Sequence, residues 1–126
     1  MCGIVGIASE DRAADKLLTG LFRQEFRGYD SSGLAVFGKD SNQVQVVKRK
    51  GKVSELQNAT TESPMMGNTG IAHTRWATHG IPSESNAHPH HSNEEVYIVH
   101  NGIIENHQEL RTTLKALGYD LSLIHI

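Results

Sequence analysis

The first part of the chain alternates between apolar runs and one amphipathic segment. Residues 2–9 are apolar and interrupted by glycines, which predicts a buried strand. Apolar side chains recur at three- and four-residue spacing over residues 11–26, which predicts an amphipathic helix. Residues 27–33 are polar and contain two glycines, so we expect a loop, in which Arg27 and Asp30 could simply pair with each other.

A hairpin, a short helix and a further strand are predicted next. Residues 34–37 and 44–47 are apolar runs on either side of a polar turn, the pattern of two paired strands. Residues 51–60 favour a short helix, and residues 62–68, which include a proline, predict a surface loop. Residues 69–73 predict another strand.

The remaining pattern ends in a helix. Residues 81–95 are polar and rich in histidine, which predicts a long functional loop. Residues 96–99 predict a strand that could lie beside the first strand of the chain. Asn106 and Glu109 fit a capping box at the start of the final helix, and Gly118 fits its C-terminal stop. Its apolar face would be formed by Leu110, Leu114 and Leu117.

Composition narrows the class of protein. The 126 residues are about one domain in length, with 37% hydrophobic and 21% charged residues, as in a soluble globular protein. A formal net charge of -2 gives no basic surface for nucleic acid. No apolar run approaches the roughly 20 residues needed to cross a bilayer, and no basic signal segment opens the chain. We therefore expect a cytoplasmic protein with neither a membrane nor a nucleic acid as partner.

Cys2 is the only cysteine in the chain and directly follows Met1. If Met1 is removed, Cys2 carries a thiol and a free α-amine, two groups that titrate close to neutral pH. A nucleophile paired with the terminal amine as general base is a recognised catalytic arrangement. The alternative is a small buried hydrophobe near a terminus.

Amide cleavage by a thiol also needs oxyanion donors and a group that binds the far end of the substrate. The Asn101 side-chain NH2 and the Gly102 backbone N–H could supply the donors, although Asn-Gly is also the commonest hairpin turn. The Arg75 guanidinium suits a carboxylate, and Trp76 beside it suits a lid over a small polar ligand. An arginine and a tryptophan can equally make a salt bridge and a core contact.

Five blocks of the chain resemble, in order, the glutaminase domain of the glutamine–fructose-6-phosphate aminotransferase family. They read CGIVG (2–6), RGYDS (27–31), HTRWATHG (73–80), NAHPH (86–90) and HNGIIEN (100–106). Sister families differ at Tyr29, where amidophosphoribosyltransferases would have glutamine and asparagine synthetases proline. Amidophosphoribosyltransferase is kept as the alternative within the class II glutamine amidotransferases.

The resemblance implies an α+β fold, the four-layer αββα sandwich of N-terminal nucleophile hydrolases, here incomplete. It implies that Cys2 forms a γ-glutamyl thioester and that Asn101 and Gly102 form the oxyanion hole. It also implies that Arg75 binds the α-carboxylate of glutamine. By the same resemblance, Trp76, Thr78 and His79 belong to the loop that closes over glutamine. Arg27 and His88 are candidate supporting residues.

The resemblance also bounds the partners. No cofactor or metal is implied, and the substrate is glutamine. In the family, ammonia passes to separate isomerase domains, so fructose 6-phosphate would be met only there, and the full-length protein would be a homo-oligomer. The alternative outside the enzyme class is a histidine-rich metal-binding module, since His88, His90 and His91 cluster in the sequence. Against it, zinc sites usually have four ligands at recognisable spacing.

The end of the chain departs from the family. We interpret residues 1–120 as the N-terminal part of the glutaminase domain and residues 121–126 as a non-native tail, since they match the translation of a transposon-type adapter end. The family places the aspartate that binds the substrate α-amine beyond the helix ending at Gly118, in a segment that this chain lacks. The fragment alone is therefore expected to be inactive.

Overall fold

A computed structural model of the chain describes residues 2–38, 43–76 and 83–121. Its elements, in chain order, are β1 (Gly3–Ala8), α1 (Ala13–Arg23), a 3-10 turn (Glu25–Arg27), β2 (Ser31–Phe37), β3 (Gln45–Lys50), α2 (Val53–Glu62), β4 (Thr69–Arg75), β5 (His90–Ser92), β6 (Val96–Ile98) and α3 (His107–Ala116).

Four strands form an antiparallel sheet in the order β1-β4-β2-β3. Within the described residues, β5 and β6 pair with each other in a separate two-stranded sheet. The central position of β4, between β1 and β2, gives its side chains neighbours on both sides. Among the described residues no helix is long and apolar enough to cross a membrane.

The hydrophobic core lies between one face of the four-stranded sheet and helices α1 and α2. Leu17 and Leu21 of α1 and Leu34 of β2 are fully buried there, and each such leucine contributes roughly 1.5–3 kcal/mol to stability. Gly20 allows α1 to approach β1 closely, because a Cβ on it would lie 2.8 Å from the Val5 side chain. Because the apolar residues of α1 pack in this core, the helix predicted from the amphipathic pattern of residues 11–26 is confirmed.

Most predicted elements are confirmed, with shifted ends. The first strand, the hairpin strands, the helix after residue 51 and the strand before Arg75 all form. The amphipathic segment ends as a helix at Arg23, and Phe26 is 86% exposed in the 3-10 turn instead of packing in the core. The predicted turn at residues 38–42 lies mostly outside the described residues.

Four sequence predictions are wrong in detail. β6 pairs with β5, part of the predicted 81–95 loop, and β1 lies beside β4 instead. The 62–68 segment is not wholly at the surface, since it buries Met65. Asn106 makes no side-chain capping bond at the start of α3, and no residue of α3 is buried. The C-terminal stop at Gly118 is confirmed, with a φ of +93° and its N–H donated to the Lys115 carbonyl.

Candidate active site at the start of the first strand

The site lies on the sheet face opposite the helices. Successive residues of a strand point to opposite faces, so Ala72 packs in the core and His73 faces the other side. Ile4 on β1, Gly33 on β2 and, beyond it, Lys48 on β3 lie in the same cross-strand row as His73. This row, together with Arg75 two residues further along β4, forms the floor of the site.

Cys2 lies directly before β1 and against the end of β4. Its Sγ accepts a hydrogen bond from the Trp76 backbone N–H at 3.2 Å and lies 3.7 Å from the Trp76 carbonyl oxygen. The Gly3 N–H donates to Thr74 Oγ1 at 3.1 Å, which fixes the register of the two strands. A side chain at Gly3 would collide with Gln24 and Thr74. The thiol is partly exposed and held at one place by backbone contacts.

Asn101 meets Cys2 from a distant part of the chain. Its Nδ2 donates to the Cys2 backbone oxygen at 3.1 Å, and its Oδ1 lies 2.6 Å from His73 Nε2. Gly102 has a φ of +142°, and a Cβ there would lie 3.3 Å from the His100 ring. The structure thus brings together Cys2 and Asn101, the first of the two predicted oxyanion donors.

Arg75 and Trp76 are held by the loop before β2. Arg75 is only 3% exposed, and its Nη1 lies 3.9 Å from Asp30 Oδ1, while the Asp30 N–H donates to the Arg75 carbonyl at 2.7 Å. The ring of Trp76, half exposed, rests on Gly28, where a Cβ would lie 3.1 Å from it. Asp30 therefore pairs with Arg75, whereas the sequence left open a pairing with Arg27.

The stretch of residues 86–90, here called the histidine segment, covers the floor of the site. The His88 carbonyl occupies the space that a side chain at Gly33 would need. The His88 ring stacks on His73 with centroids 4.1 Å apart and lies 4.4 Å from the His90 ring. His88 is thus part of the wall that holds His73.

Burial keeps these three rings neutral near physiological pH. It lowers the pKa of His88 to about 2 and the pKa of His90 to about 4, and the nearby charges of Arg75 and Lys48 act in the same direction. Burial also lowers the pKa of His73, opposed by its hydrogen bond with Asn101. Each ring therefore has one N–H and one acceptor nitrogen near neutral pH.

The clustered histidines do not form a ligand set. The His88 and His90 rings are tilted by 53° with centroids 4.4 Å apart, and His91 stacks on Tyr97 with centroids 5.5 Å apart. Across the described ranges, no group of three or more histidine, cysteine, aspartate or glutamate side chains is arranged to hold a metal ion.

An apolar cleft of about 420 Å³ opens next to the histidine segment. Its lining comprises His88, His90, His91, Ser92, Val96, Ile98, Val99, His100 and Ile104. Cys2 and Arg75 do not contribute to it, so the cleft adjoins the site without containing the thiol.

Three predicted site residues lie partly or wholly outside the described structure. Thr78 and His79 fall in residues 77–82, and the side chain of Arg27 is likewise outside it. Sequence reasoning assigned no role to His73 or Gly28, both of which contact predicted site residues. Strand periodicity could have identified His73, since it shares a face of β4 with Arg75.

Comparison with known proteins shows which proteins this chain is similar to. No protein-family model matches the chain. Over 119 residues, or 94% of the chain, it is 58% identical to proteins named glutamine–fructose-6-phosphate aminotransferase (isomerizing) from Idiomarina loihiensis, Pseudomonas putida and Escherichia coli O6:H1. The chain spans 19% of the length of each of these relatives.

A solved structure shows the same fold. The glutamine phosphoribosylpyrophosphate amidotransferase from B. subtilis, in complex with ADP and GMP, matches 97% of this chain and 26% of its own with a TM-score of 0.80. The identity is 22%, so the likeness concerns the fold alone. It confirms the predicted α+β class, an incomplete sandwich of the N-terminal nucleophile type.

Proposed function

Because the chain belongs to the glutamine–fructose-6-phosphate aminotransferase family, we propose that it carries the nucleophile end of a glutaminase that supplies ammonia for glucosamine 6-phosphate synthesis. The observation that carries the proposal is the contact between Cys2 and Asn101. These residues are 99 positions apart in sequence, and the Asn101 amide lies 3.1 Å from the Cys2 carbonyl oxygen. A nucleophile and an oxyanion donor side by side are what cleavage of an amide requires.

The chemistry follows from these groups. Once Met1 is removed, the Cys2 α-amine takes the thiol proton, directly or through one water, and Sγ attacks the side-chain carbonyl carbon of glutamine. The negative charge that develops on the carbonyl oxygen is stabilised by the Asn101 amide and the Gly102 N–H. The C–N bond breaks, ammonia leaves with the transferred proton, and a γ-glutamyl thioester remains. Water then attacks the thioester, which releases glutamate and restores the thiol.

Arg75 and Trp76 are proposed to hold the other end of glutamine. A guanidinium binds a carboxylate through two parallel hydrogen bonds. Arg75 is nearly buried beside Asp30 and directly precedes Trp76, whose backbone N–H donates to Cys2 Sγ. Its guanidinium therefore lies at the same end of β4 as the thiol. Trp76 would cover the bound amino acid, together with Thr78 and His79 outside the described residues.

The remaining proposals concern the whole protein. Residues 1–120 are the N-terminal part of the glutaminase domain, and residues 121–126 are a non-native tail. Fructose 6-phosphate is bound by isomerase domains that this segment does not include, in a cytoplasmic homo-oligomer. The length of the relatives, of which the chain covers 19%, supports this division.

The test uses a hybrid enzyme, in which residues 1–120 of this chain replace the matching segment of the Escherichia coli O6:H1 relative. Cys2→Ala is expected to lower glutamate release on the order of a thousandfold or more, since it removes the attacking atom. Aminosugar formation from fructose 6-phosphate and added ammonia is expected to persist, because that step does not use Cys2.

The control for this substitution is Thr61→Ala, which removes an exposed hydroxyl on α2 and is expected to leave both rates unchanged. Glutamate release by Cys2→Ala at the rate of the unsubstituted hybrid enzyme would eliminate Cys2 as the nucleophile.

A further inference from the structure

The side-chain amide of Asn101 makes two hydrogen bonds of opposite kind. Nδ2 lies 3.1 Å from the Cys2 backbone oxygen, and Oδ1 lies 2.6 Å from His73 Nε2. A backbone carbonyl can only accept, so the NH2 end of the amide must face Cys2. Turning the amide by half a rotation would place its oxygen against the Cys2 oxygen.

This orientation assigns the proton on His73. Because Oδ1 also can only accept, His73 Nε2 must carry a hydrogen. Among the residues that the structure describes, the buried Nδ1 of His73 has no hydrogen-bond partner, as suits a nitrogen that carries a lone pair in the neutral ring. Burial, which lowers the pKa of His73, favours that neutral form.

Asn101 and His73 are held very differently by the fold. Asn101 is exposed and lies after β6, next to Gly102, whose φ of +142° marks an irregular backbone. His73 is fully buried on the central strand β4 and stacks on His88 at 4.1 Å. A donor on a rigid strand therefore contacts an amide on an exposed turn.

We propose that His73 is a positioning residue, which donates from Nε2 to Asn101 Oδ1 and so keeps the Asn101 NH2 turned toward Cys2. The second hydrogen of that NH2 is then free to meet the oxyanion of the substrate. The inference rests on the proposed function, in that Asn101 must act as an oxyanion donor.

A double-mutant cycle in the hybrid enzyme tests it, with kcat and KM for glutamine hydrolysis as readouts. His73→Phe keeps a flat ring for the stack with His88 but removes the donor. We expect kcat to fall about 10- to 100-fold, less than the 100- to 1000-fold typical for loss of an oxyanion donor. KM is expected to change less than about threefold, because the lost interaction acts in the transition state.

The double variant His73→Phe with Asn101→Ala is expected to match Asn101→Ala alone, since His73 acts only through that amide. His73→Gln is expected to retain most of kcat, because its side-chain NH2 reaches about as far as Nε2 and can donate to Oδ1. The control, His91→Phe, makes the same replacement at an exposed ring beside Tyr97 and should leave kcat unchanged.

Each outcome has a clear meaning. If Asn101→Ala leaves kcat intact, the proposed function of Asn101 fails, and the role of His73 fails with it. If Asn101→Ala is damaging but the effects of the two single variants multiply in the double variant, His73 does not act through Asn101. If His73→Phe does not fold, His73→Gln decides, and loss of kcat in that variant overturns the proposal.

Discussion

Among single residues, Gly28 shows how a position without a side chain supports the site. Its φ is +81° and its ψ is 141°, a region that essentially only glycine adopts, and the Trp76 ring rests on it. Gly118 also has a positive φ, of +93°, but none of the described residues lies within 4 Å of the position where its Cβ would be. Alanine substitution at Gly28 should therefore cause backbone strain and also displace the Trp76 ring, whereas substitution at Gly118 should cause backbone strain alone.

Gly28→Ala in the 126-residue chain is expected to shift the fluorescence of Trp76 to longer wavelength and to raise its quenching by acrylamide. Trp76 is the only tryptophan of the chain, so the signal reports on it alone. Gly118→Ala is expected to lower the free energy of unfolding by about 1–3 kcal/mol through strain, with unchanged emission. Identical spectra for both variants would mean that the ring does not rest on Gly28.

At the scale of single residues, the sequence could propose candidates wherever the chemistry is local to a motif. Cys2, Asn101 and Gly102 could be singled out because their own functional groups suit amide cleavage, and the structure places Asn101 in contact with Cys2, while their catalytic roles stay predictions. The pairing of Asp30 with Arg75 could not be predicted from the sequence, because it depends on the register of β2 against β4. Nothing in the sequence of residues 27–33 indicates that register.

At the scale of elements, the histidine segment makes stability depend on pH. The pKa of His88 is lowered by burial from 6.5 to about 2, and that of His90 to about 4. Below pH 6.5 the unfolded chain therefore binds more protons than the folded chain, so the free energy of unfolding falls as the pH falls. Above that pH these groups contribute no further change.

Urea unfolding of the 126-residue chain between about pH 7.5 and pH 5 measures this dependence. His88, which is 6% exposed, is expected to contribute up to about 1.4 kcal/mol per pH unit, and the more exposed His90 less. His88→Phe keeps a stacked ring that cannot titrate, so the slope should decrease, whereas Thr61→Ala, which removes an exposed hydroxyl on α2, should leave it unchanged. A stability that rises on acidification would contradict the assignment of buried neutral rings.

Elements were predicted best where the hydrophobic period is clear. The spacing over residues 11–26 predicted α1, and the two apolar runs predicted the hairpin of β2 and β3. The pairing of β5 with β6 was missed because residues 90–92 are two histidines and a serine, without any alternation to reveal a strand. The capping box was also wrong, since matching residue types do not impose the backbone geometry that a cap needs.

For the molecule as a whole, apolar surface concentrates in the C-terminal third of the described chain. No residue of α3 is buried, and the side chains of Val96, Ile103, Leu117 and Tyr119 are all more than half exposed. Apolar side chains exposed in such number within one part of a chain indicate a surface that packs against another part of a protein. Two leucines show the difference between the core and this surface: Leu17 on α1 is 0% exposed, whereas Leu117 after α3 is 69% exposed.

The 126-residue chain is expected to bind a hydrophobic dye, because apolar side chains of its C-terminal third are exposed. It is also expected to release glutamate at least about tenfold more slowly than the hybrid enzyme, since the loss of one charge-assisted contact to glutamine would alone account for a tenfold reduction. Leu117→Ala should change the free energy of unfolding by less than about 0.5 kcal/mol and reduce dye binding. Leu17→Ala should cost about 2–5 kcal/mol. Full activity without dye binding would show that the chain is sufficient alone.

The alternation along β4 also makes a wrong strand register costly. Thr74 points to the same face of the sheet as Ala72, and its Oγ1 accepts a hydrogen bond from the Gly3 N–H, whereas His73 and Arg75 point to the opposite face. A slip of one residue would turn the imidazole and the guanidinium into the leucine core and carry Ala72 out of it. The same slip would move the thiol away from Trp76. A chain that pairs β1 and β4 wrongly therefore loses stability and chemistry together, so only the correct register yields a persistent molecule with an assembled site.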